Sequence, residues 1–381
     1  SMNSIAFVDT EIEPKSRKIL DIGCIKDSGS TFHSNSIIDF IEFLYGTAFI
    51  CGHNIINHDY QYIEKAVTAA GIYPRSIIDT LYLSPLLFPN KPYHALLKDD
   101  KLQTEELNNP LNDSIKAKDL FFDELSKFRQ LDQKLQQIFY LLLYDKKEFT
   151  AFFRFMEYTC TETQVEPIIR EKFYSFICKN VDLSKIISEN PIELAYCLAL
   201  IYCDSRYSIT PPWILKNYPK VDRLFFLLRS NPCLTGCVYC DQALDIRKGL
   251  KDYFGFDAYR TYAGEPLQEN AVQAAVDNKS LLAVFPTGGG KSITFQVPAL
   301  MAGKNTKGLT VVISPLQSLM KDQVDNLEKN QITTAVTING LLDPIERAKS
   351  IERVQDGSAC LLYISPESLR SKTIEKILLG R

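Results

Sequence analysis

Between residues 246 and 381, short apolar segments alternate with helical patterns. Strands that alternate with helices along a chain are joined by crossover connections, which make neighbouring strands parallel. The alternation therefore predicts a parallel α/β sheet in this part of the chain. The apolar segments are LLAVFP (281–286), LTVVISP (309–315), TAVTIN (334–339) and ACLLYISP (359–366).

A glycine-rich loop, PTGGGKS (286–292), separates the first of these segments from a helical pattern. A strand, a glycine-rich loop and a helix N-terminus in this order place backbone N–H groups around phosphate oxygens. We expect Lys291 to reach the β and γ phosphates of ATP and Ser292 to bind Mg²⁺. The alternative, a glycine-rich turn without function, does not explain this context. The predicted nucleotide-binding residues of the loop are Thr287, Gly288, Gly289, Gly290, Lys291 and Ser292.

The loop departs from the usual phosphate-binding pattern, because Phe285 stands where that pattern has its first glycine. This departure, with FQVPAL after the loop, resembles the RecQ family of superfamily 2 DNA helicases. VVISPLQSLMKDQVDNL (311–327) and LLYISPESL (361–369) are similar to two segments with which that family contacts DNA. FGFDAYRTYAGEPLQENAV (254–272) is similar to the segment with which the family reads adenine.

The resemblance covers residues 246–381 and implies the first RecA-like lobe of a helicase, in which Gln268 and Arg260 contact ATP. A complete motor also needs an Asp-Glu pair on a later strand and arginines from a second lobe. No such acidic pair follows Leu369. We therefore expect an N-terminal fragment, truncated before the Asp-Glu motif, that does not couple ATP hydrolysis to unwinding.

At the other end of the chain, the predicted strand SIAFVDTEI (4–12) carries two carboxylates. Asp9 and Glu11 are two positions apart, so their side chains point to one face of the strand. Two carboxylates on one face repel each other unless a cation lies between them, which indicates Mg²⁺ or Mn²⁺ rather than a solvated surface. Asp59 and Asp113 fall in the first turns of two predicted helices further along the chain.

This order of acidic residues resembles the DEDD family of 3′–5′ exonucleases, of the DnaQ type with a ribonuclease H-like fold. The resemblance covers roughly residues 3–125 and includes GHN and DTLYLSPLLFP. It implies two metal ions about 4 Å apart at the scissile phosphate. The residues that would hold them are Asp9, Glu11, Asp59 and Asp113.

One position departs from the DnaQ type, which carries a histidine base five residues before the last aspartate. This chain has Asn108 there, and an asparagine cannot accept a proton from water. His94 is an alternative base, although a lone histidine is usually structural. The front domain is then either a slow exonuclease or a clamp that binds a 3′ end without cutting it.

Three cysteines, Cys233, Cys237 and Cys240, lie in one stretch of eight residues that we expect to form a turn. Zn²⁺ and iron–sulfur clusters both take such thiolates and need a fourth ligand. We expect that ligand to be Cys203, with Cys197 as the alternative, and structural zinc as the metal, with an iron–sulfur cluster as the alternative.

Composition excludes several classes of protein. The ten cysteines follow no secretion signal, which favours a reducing cytoplasm or nucleus over a secreted protein. No apolar run is long enough for a membrane span. The net charge of −3 does not indicate nucleic acid, so a role on DNA depends on the motifs alone.

We predict an α/β protein that combines a RecQ-like DNA helicase segment with a metal-dependent 3′–5′ DNA exonuclease, in DNA repair or end processing. The alternatives are a nuclease-like module that binds nucleic-acid 3′ ends, RNA as the substrate, and a front domain that only mediates protein contacts. The predicted parts are a ribonuclease H-like exonuclease domain (1–125), a helical connector (126–230), a cysteine-rich metal-binding segment (231–245) and a partial RecA-like helicase lobe (246–381).

Overall fold

The structure, a computed structural model, describes residues 3–95, 109–203, 205–231, 233–286, 288 and 290–381. The chain forms two compact units. The front unit comprises Ser1–Pro89, His94–Lys172 and Ile187–Ala199. The rear unit comprises Asn90–Tyr93, Phe173–Ile186 and Leu200–Arg381. Within the described part of the chain, every helix is too short or too polar to cross a membrane.

The front unit contains a five-stranded sheet in the order β3-β2-β1-β4-β5. Its first three strands are antiparallel, whereas β4 and β5 continue the sheet parallel to β1. The strands are β1 (Ile5–Ile12), β2 (Ile19–Lys26), β3 (Thr31–Ser34), β4 (Phe49–Gly52) and β5 (Ile77–Asp79). The strand predicted at residues 4–12 is therefore present as β1.

Helices cover this sheet and extend beyond it. They are α1 (Ile37–Leu44), α2 (Tyr60–Ala69), α3 (Thr80–Leu87), α4 (Pro110–Gln130), α5 (Gln133–Leu143), α6 (Thr150–Met156) and α7 (Val165–Lys172). Phe7 on β1 and Phe121 on α4 are both fully buried, with ring centroids 5.6 Å apart. This aromatic contact fixes the long helix α4 against the middle of the sheet.

Two helices contain residues of both units, α8 (Leu183–Glu189) and α9 (Pro191–Tyr202). The rear unit begins with short helices, α10 (Pro212–Asn217), α11 (Lys220–Arg229) and α12 (Val238–Ala243). Its remaining helices are α13 (Ile246–Phe254), α14 (Leu267–Val276), α15 (Ile293–Thr306), α16 (Gln317–Lys329), α17 (Pro344–Asp356) and α18 (Lys372–Leu379).

The rear unit contains a parallel sheet of three described strands in the order β6-β8-β7. They are β6 (Thr310–Ile313), β7 (Ala335–Ile338) and β8 (Leu361–Ile364), which confirms the predicted parallel α/β arrangement for three of the four apolar segments. The prediction of a strand at 281–286 is wrong, because this segment pairs with no described strand and Leu282 is 91% exposed. Apolar residues form a buried strand only where a sheet offers backbone partners to them.

Candidate functional site

Three aspartates meet above the centre of the front sheet. The carboxyl group of Asp9 on β1 is hydrogen-bonded to that of Asp113 in the first turn of α4, and the charge of Asp59 lies close enough to act on it. Burial, followed by the charges of Asp59 and Asp113, raises the pKa of Asp9 from 3.8 to about 8. Without a cation, the cluster therefore retains a proton near neutral pH.

Helix α4 reaches the cluster because a glycine lies opposite Asp9. Gly23 on β2 is the cross-strand partner of Asp9, and a Cβ atom at Gly23 would lie only 2.1 Å from the backbone nitrogen of Leu111. The side chain of Asn109 caps the helix by accepting the N–H of Leu111 at 3.0 Å. The close approach at Gly23 thus lets the first turn of α4 carry Asp113 to the sheet.

Asp59 is buried at the end of a short π-helix, Ile55–Asp59, directly before α2. Its Oδ1 accepts the backbone N–H of Thr10 at 3.0 Å and also the Thr10 hydroxyl. These bonds tie Asp59 to the residue after Asp9, which brings the two predicted ligands together. The signal in the sequence was the position of Asp59 at a helix start.

His58 was not identified from the sequence, although it is the immediate neighbour of Asp59. Its Nδ1 lies 3.5 Å from Asp59 Oδ1, and the side chain is half exposed. The hydrogen bond with Asp59 raises the pKa of His58 above its ordinary value. A histidine thus borders the acidic cluster on its exposed side.

Glu11 lies two residues beyond Asp9 on β1 and is partly exposed. Strand alternation places its side chain on the same face as that of Asp9. Its cross-strand partner is Asp21, whose Oδ2 lies 2.5 Å from Nε2 of His33 on β3. Glu11 therefore borders the cluster by its position in the strand, and among the described residues no side-chain hydrogen bond or ion pair fixes it there.

Asp79 is a further buried carboxylate that the sequence analysis missed. It accepts the backbone N–H groups of Asn54, Ile56 and Leu81 at 2.8–3.1 Å. Burial raises the pKa of Asp79 to about 7, although these three bonds act in the opposite direction. Asp79 thereby shapes the turn that carries Asp59, which makes it a positioning residue.

The predicted candidates for the base have different outcomes. Asn108 lies outside the described residues, so the structure does not bear on it. His94 is buried, and its Nδ1 lies 2.7 Å from the hydroxyl oxygen of Ser84. These contacts favour a structural role for His94 over the alternative role of a base.

In the rear unit, the glycine-rich loop is contacted by two residues of the segment 254–272, Arg260 and Gln268. The side-chain amide of Gln268 donates to the carbonyl oxygen of Gly290 at 2.9 Å and accepts the N–H of Arg260 at 2.8 Å. The guanidinium of Arg260 donates to the carbonyl oxygen of Gly288 at 3.1 Å. The structure thus brings the predicted residues Gln268 and Arg260 to the loop.

The remaining loop residues lie at the start of α15. Gly288 and Gly290 have positive φ values of 73° and 74°, which favour glycine at both positions. Lys291 is exposed, and Ser292 directly precedes α15, so both stand at a helix N-terminus. The predicted residues Thr287 and Gly289 lie outside the described residues.

Two segments with a predicted DNA contact lie side by side. One segment (311–327) begins within β6 and the other (361–369) begins with β8, and these strands are parallel neighbours in the sheet. The backbone N–H of Ser314 donates to the carbonyl oxygen of Ile364 at 3.1 Å. The hydroxyl groups of Ser365 and Ser368 are 2.8 Å apart in the second segment. The carboxyl edge of the sheet therefore presents both segments together.

A cysteine cluster lies elsewhere in the rear unit, and its membership corrects the sequence prediction. The Sγ atoms of Cys178, Cys233, Cys237 and Cys240 all lie within 4.8 Å of one another. The prediction of Cys203 as fourth member is wrong, because Cys178 completes the group and Cys203 lies outside it. A hydrogen bond from the N–H of Cys178 to the Leu228 carbonyl oxygen, at 2.8 Å, ties it to the end of α11.

Comparisons with known proteins bear on the rear unit. Residues 265–379 match the family model of the DEAD/DEAH box helicases. The ATP-dependent DNA helicase RecQ of Bacillus subtilis is 41% identical over 132 residues, which are 34% of this chain and 21% of that protein. The chain carries a RecQ-like helicase segment.

Two eukaryotic proteins show the same similarity. The ATP-dependent DNA helicase Q5 of Rattus norvegicus is 37% identical over 141 residues, or 36% of this chain and 14% of that protein. The ATP-dependent helicase SGS1 of Saccharomyces cerevisiae is 40% identical over 105 residues, or 27% of this chain and 7% of that protein. The RecQ-like segment thus corresponds to a small part of each of these relatives.

Proposed function

We propose that the front unit is a metal-dependent 3′–5′ DNA exonuclease and that the rear unit is the ATP-binding segment of a RecQ-like DNA helicase. The convergence of Asp9, Asp59 and Asp113 at one site carries the first part. The order and directions of the front strands, three antiparallel and two parallel, also support it, because they agree with a ribonuclease H-like fold.

The donor set of the front site fits Mg²⁺ or Mn²⁺. Hard divalent cations prefer carboxylate oxygens, and here the charges of Asp59 and Asp113 help to raise the pKa of Asp9, which a bound cation would counteract. Asp9, Glu11, Asp59 and Asp113 would hold the metal, which when bound supplies Lewis-acid activation of a phosphodiester. Thr10 and Asp79 keep Asp59 and its turn in place for that role.

A second candidate function is supported by the residue at the position of the usual base. Asn108 cannot accept a proton from water, so the front unit would bind a nucleic-acid 3′ end without cutting it. Metal-dependent binding of DNA without a cleavage product distinguishes this function from the first.

For the rear unit, the contacts around the loop support ATP binding. Arg260 and Gln268 hold the carbonyl groups of Gly288 and Gly290, next to Lys291 at the start of α15. The named activity of the relatives, ATP-dependent DNA unwinding, comes to this chain as a proposal, because the chain covers only 14% and 21% of the rat and B. subtilis proteins. Participation in DNA repair or end processing is part of the same proposal.

The nuclease is tested with single-stranded DNA labelled at its 3′ or 5′ end, beside RNA of the same sequence, in Mg²⁺ or Mn²⁺. We expect products that shorten from the 3′ end. Asp9→Asn and Asp113→Asn should each lower the rate by more than 100-fold, since loss of outer-shell partners alone costs about 10–100-fold. Asp119→Asn, at an exposed position of α4, is the matched control and should cut like the wild type.

Binding of the same oligonucleotides is measured in parallel by fluorescence anisotropy. No cleavage in either metal, with metal-dependent binding that Asp9→Asn removes, would replace the exonuclease by the end-binding module. Cleavage of RNA in preference to DNA would change the substrate class. Equal cleavage by wild type and Asp9→Asn would overturn the proposed site.

Nucleotide binding is tested by titration of the chain with a fluorescent ATP analogue and Mg²⁺. Lys291→Ala should abolish binding, because it removes the cation at the helix start that faces the phosphates. Gln268→Ala should weaken binding, whereas Lys279→Ala, an exposed lysine outside the loop, should leave it unchanged. Wild-type affinity in Lys291→Ala would contradict the assignment of the loop.

A further inference from the structure

The four-cysteine cluster of the rear unit carries an inference that is independent of the proposed nuclease and ATP sites. Cys178 comes from the segment before α8, whereas Cys233, Cys237 and Cys240 come from the turn into α12. We propose that these four thiolates bind one zinc ion with a structural role.

The distances between the sulfur atoms favour a single zinc ion over an iron–sulfur cluster. Four thiolates at tetrahedral angles, each about 2.3 Å from zinc, have sulfurs about 3.8 Å apart. The four Sγ atoms of the cluster lie within 4.8 Å of one another, close to that geometry. A cubane iron–sulfur cluster inserts irons and sulfides between the thiolates and therefore holds their sulfurs further apart.

Hydrogen-bond donors from the backbone and from one side chain point at the sulfur atoms of the cluster. The N–H of Cys240 donates to Cys237 Sγ at 3.3 Å, and the side-chain amide of Asn180 donates to Cys233 Sγ at 3.2 Å. Gly236 has a φ of 76°, which turns the chain between Cys233 and Cys237. Donors directed at sulfur stabilise its negative charge and orient it, as outer-shell groups of metal sites do.

Four protein ligands leave no open position on a tetrahedral zinc ion, so the site is structural rather than catalytic. The ion would join the turn at Cys178 to the turn into α12, two segments that are distant in the sequence. Cys178, Tyr239 and Cys240 form only a small buried group. Metal ligation is therefore the expected source of order where the apolar core is thin.

The test is metal analysis of the full chain, purified without chelator, by inductively coupled plasma mass spectrometry. We expect one zinc per chain and no iron. Cys178→Ser should lose zinc, whereas Cys203→Ser, the matched control outside the cluster, should retain it. Exchange of zinc for Co²⁺ should give the visible spectrum of a tetrahedral thiolate site in the wild type and in Cys203→Ser.

Detection of iron and sulfide, with a broad visible absorbance, would show that the four-cysteine cluster holds an iron–sulfur cluster and not zinc. Full zinc content in Cys178→Ser would overturn the ligand set, and a wild type that contains no metal and takes up no Co²⁺ would overturn the site. Should Cys178→Ser fail to fold, alkylation of the native wild type decides. Cys203, Cys233 and Cys237 are all partly exposed. Of these three, only Cys233 and Cys237 should react faster with the alkylating reagent once a chelator has removed the ion.

Discussion

The histidine that follows β4 is held in its neutral form by its surroundings. The ring of His53 contacts the hydroxyl oxygen of Thr80 and the carbonyl oxygen of His94, both at 2.8 Å. A neutral imidazole has one donor and one acceptor, so it satisfies both partners. Burial lowers the pKa of His53 from 6.5 to about 4.

The lowered pKa of His53 predicts one effect of acid on the stability of the front unit. The unfolded chain binds a proton at His53 at higher pH than the folded chain does, so the contribution of His53 to the free energy of unfolding should fall as the pH drops from 6.5 to 4. The loss amounts to at most roughly 3 kcal/mol. The raised pKa values of Asp9 and Asp79 act in the opposite direction over this range. Urea unfolding at several pH values should show that the wild type loses stability relative to His53→Gln as the pH falls from 6.5 to 4.

A variant at the exposed His33 is the matched control, because any general effect of replacing a histidine appears there as well. Equal pH dependence in His53→Gln and the wild type would show that His53 is not the group responsible.

At the scale of elements, the position of α4 decides whether the acidic cluster forms. Pro110 and Leu111 lie directly over Gly23, so any side chain there meets their backbone. Gly23→Ala should destabilise the front unit by about 1–3 kcal/mol, as overpacking does. It should also lower nuclease activity, because the helix must move away and carry Asp113 from Asp9.

Gly340→Ala is the matched control, since a Cβ atom there meets nothing within 4 Å and the residue has no positive φ. Thermal unfolding and the oligonucleotide assay measure both consequences. Wild-type activity in Gly23→Ala would mean that α4 does not depend on this contact.

Some elements could be predicted and others could not, for physical reasons. A short run rich in apolar residues identifies β1, and the same-face position of Asp9 and Glu11 follows from the period of two in a strand. The strand β5 has only three residues and leads directly into the fully buried helix α3, so its strand character and the role of Asp79 were not evident from the sequence. Cys178 escaped notice because contacts between distant parts of a chain leave no spacing to read.

At the scale of the whole molecule, each unit has its own sheet and its own candidate site. We therefore expect the two activities to be separable by single substitutions. Asp9→Asn should remove cleavage and leave the affinity for the ATP analogue unchanged, and Lys291→Ala should do the reverse. The two assays on the same preparations check this, and loss of both activities in either variant would contradict it.

The largely exposed segment before the glycine-rich loop, 281–286, affects how the protein behaves in concentrated solution. Leu281, Leu282 and Val284 are 46%, 91% and 76% exposed, and no charged residue lies among them. Short uncharged apolar stretches with unpaired backbone groups attract one another between molecules. We therefore expect these side chains to lower the solubility of the chain in concentrated solution, while both cores remain folded.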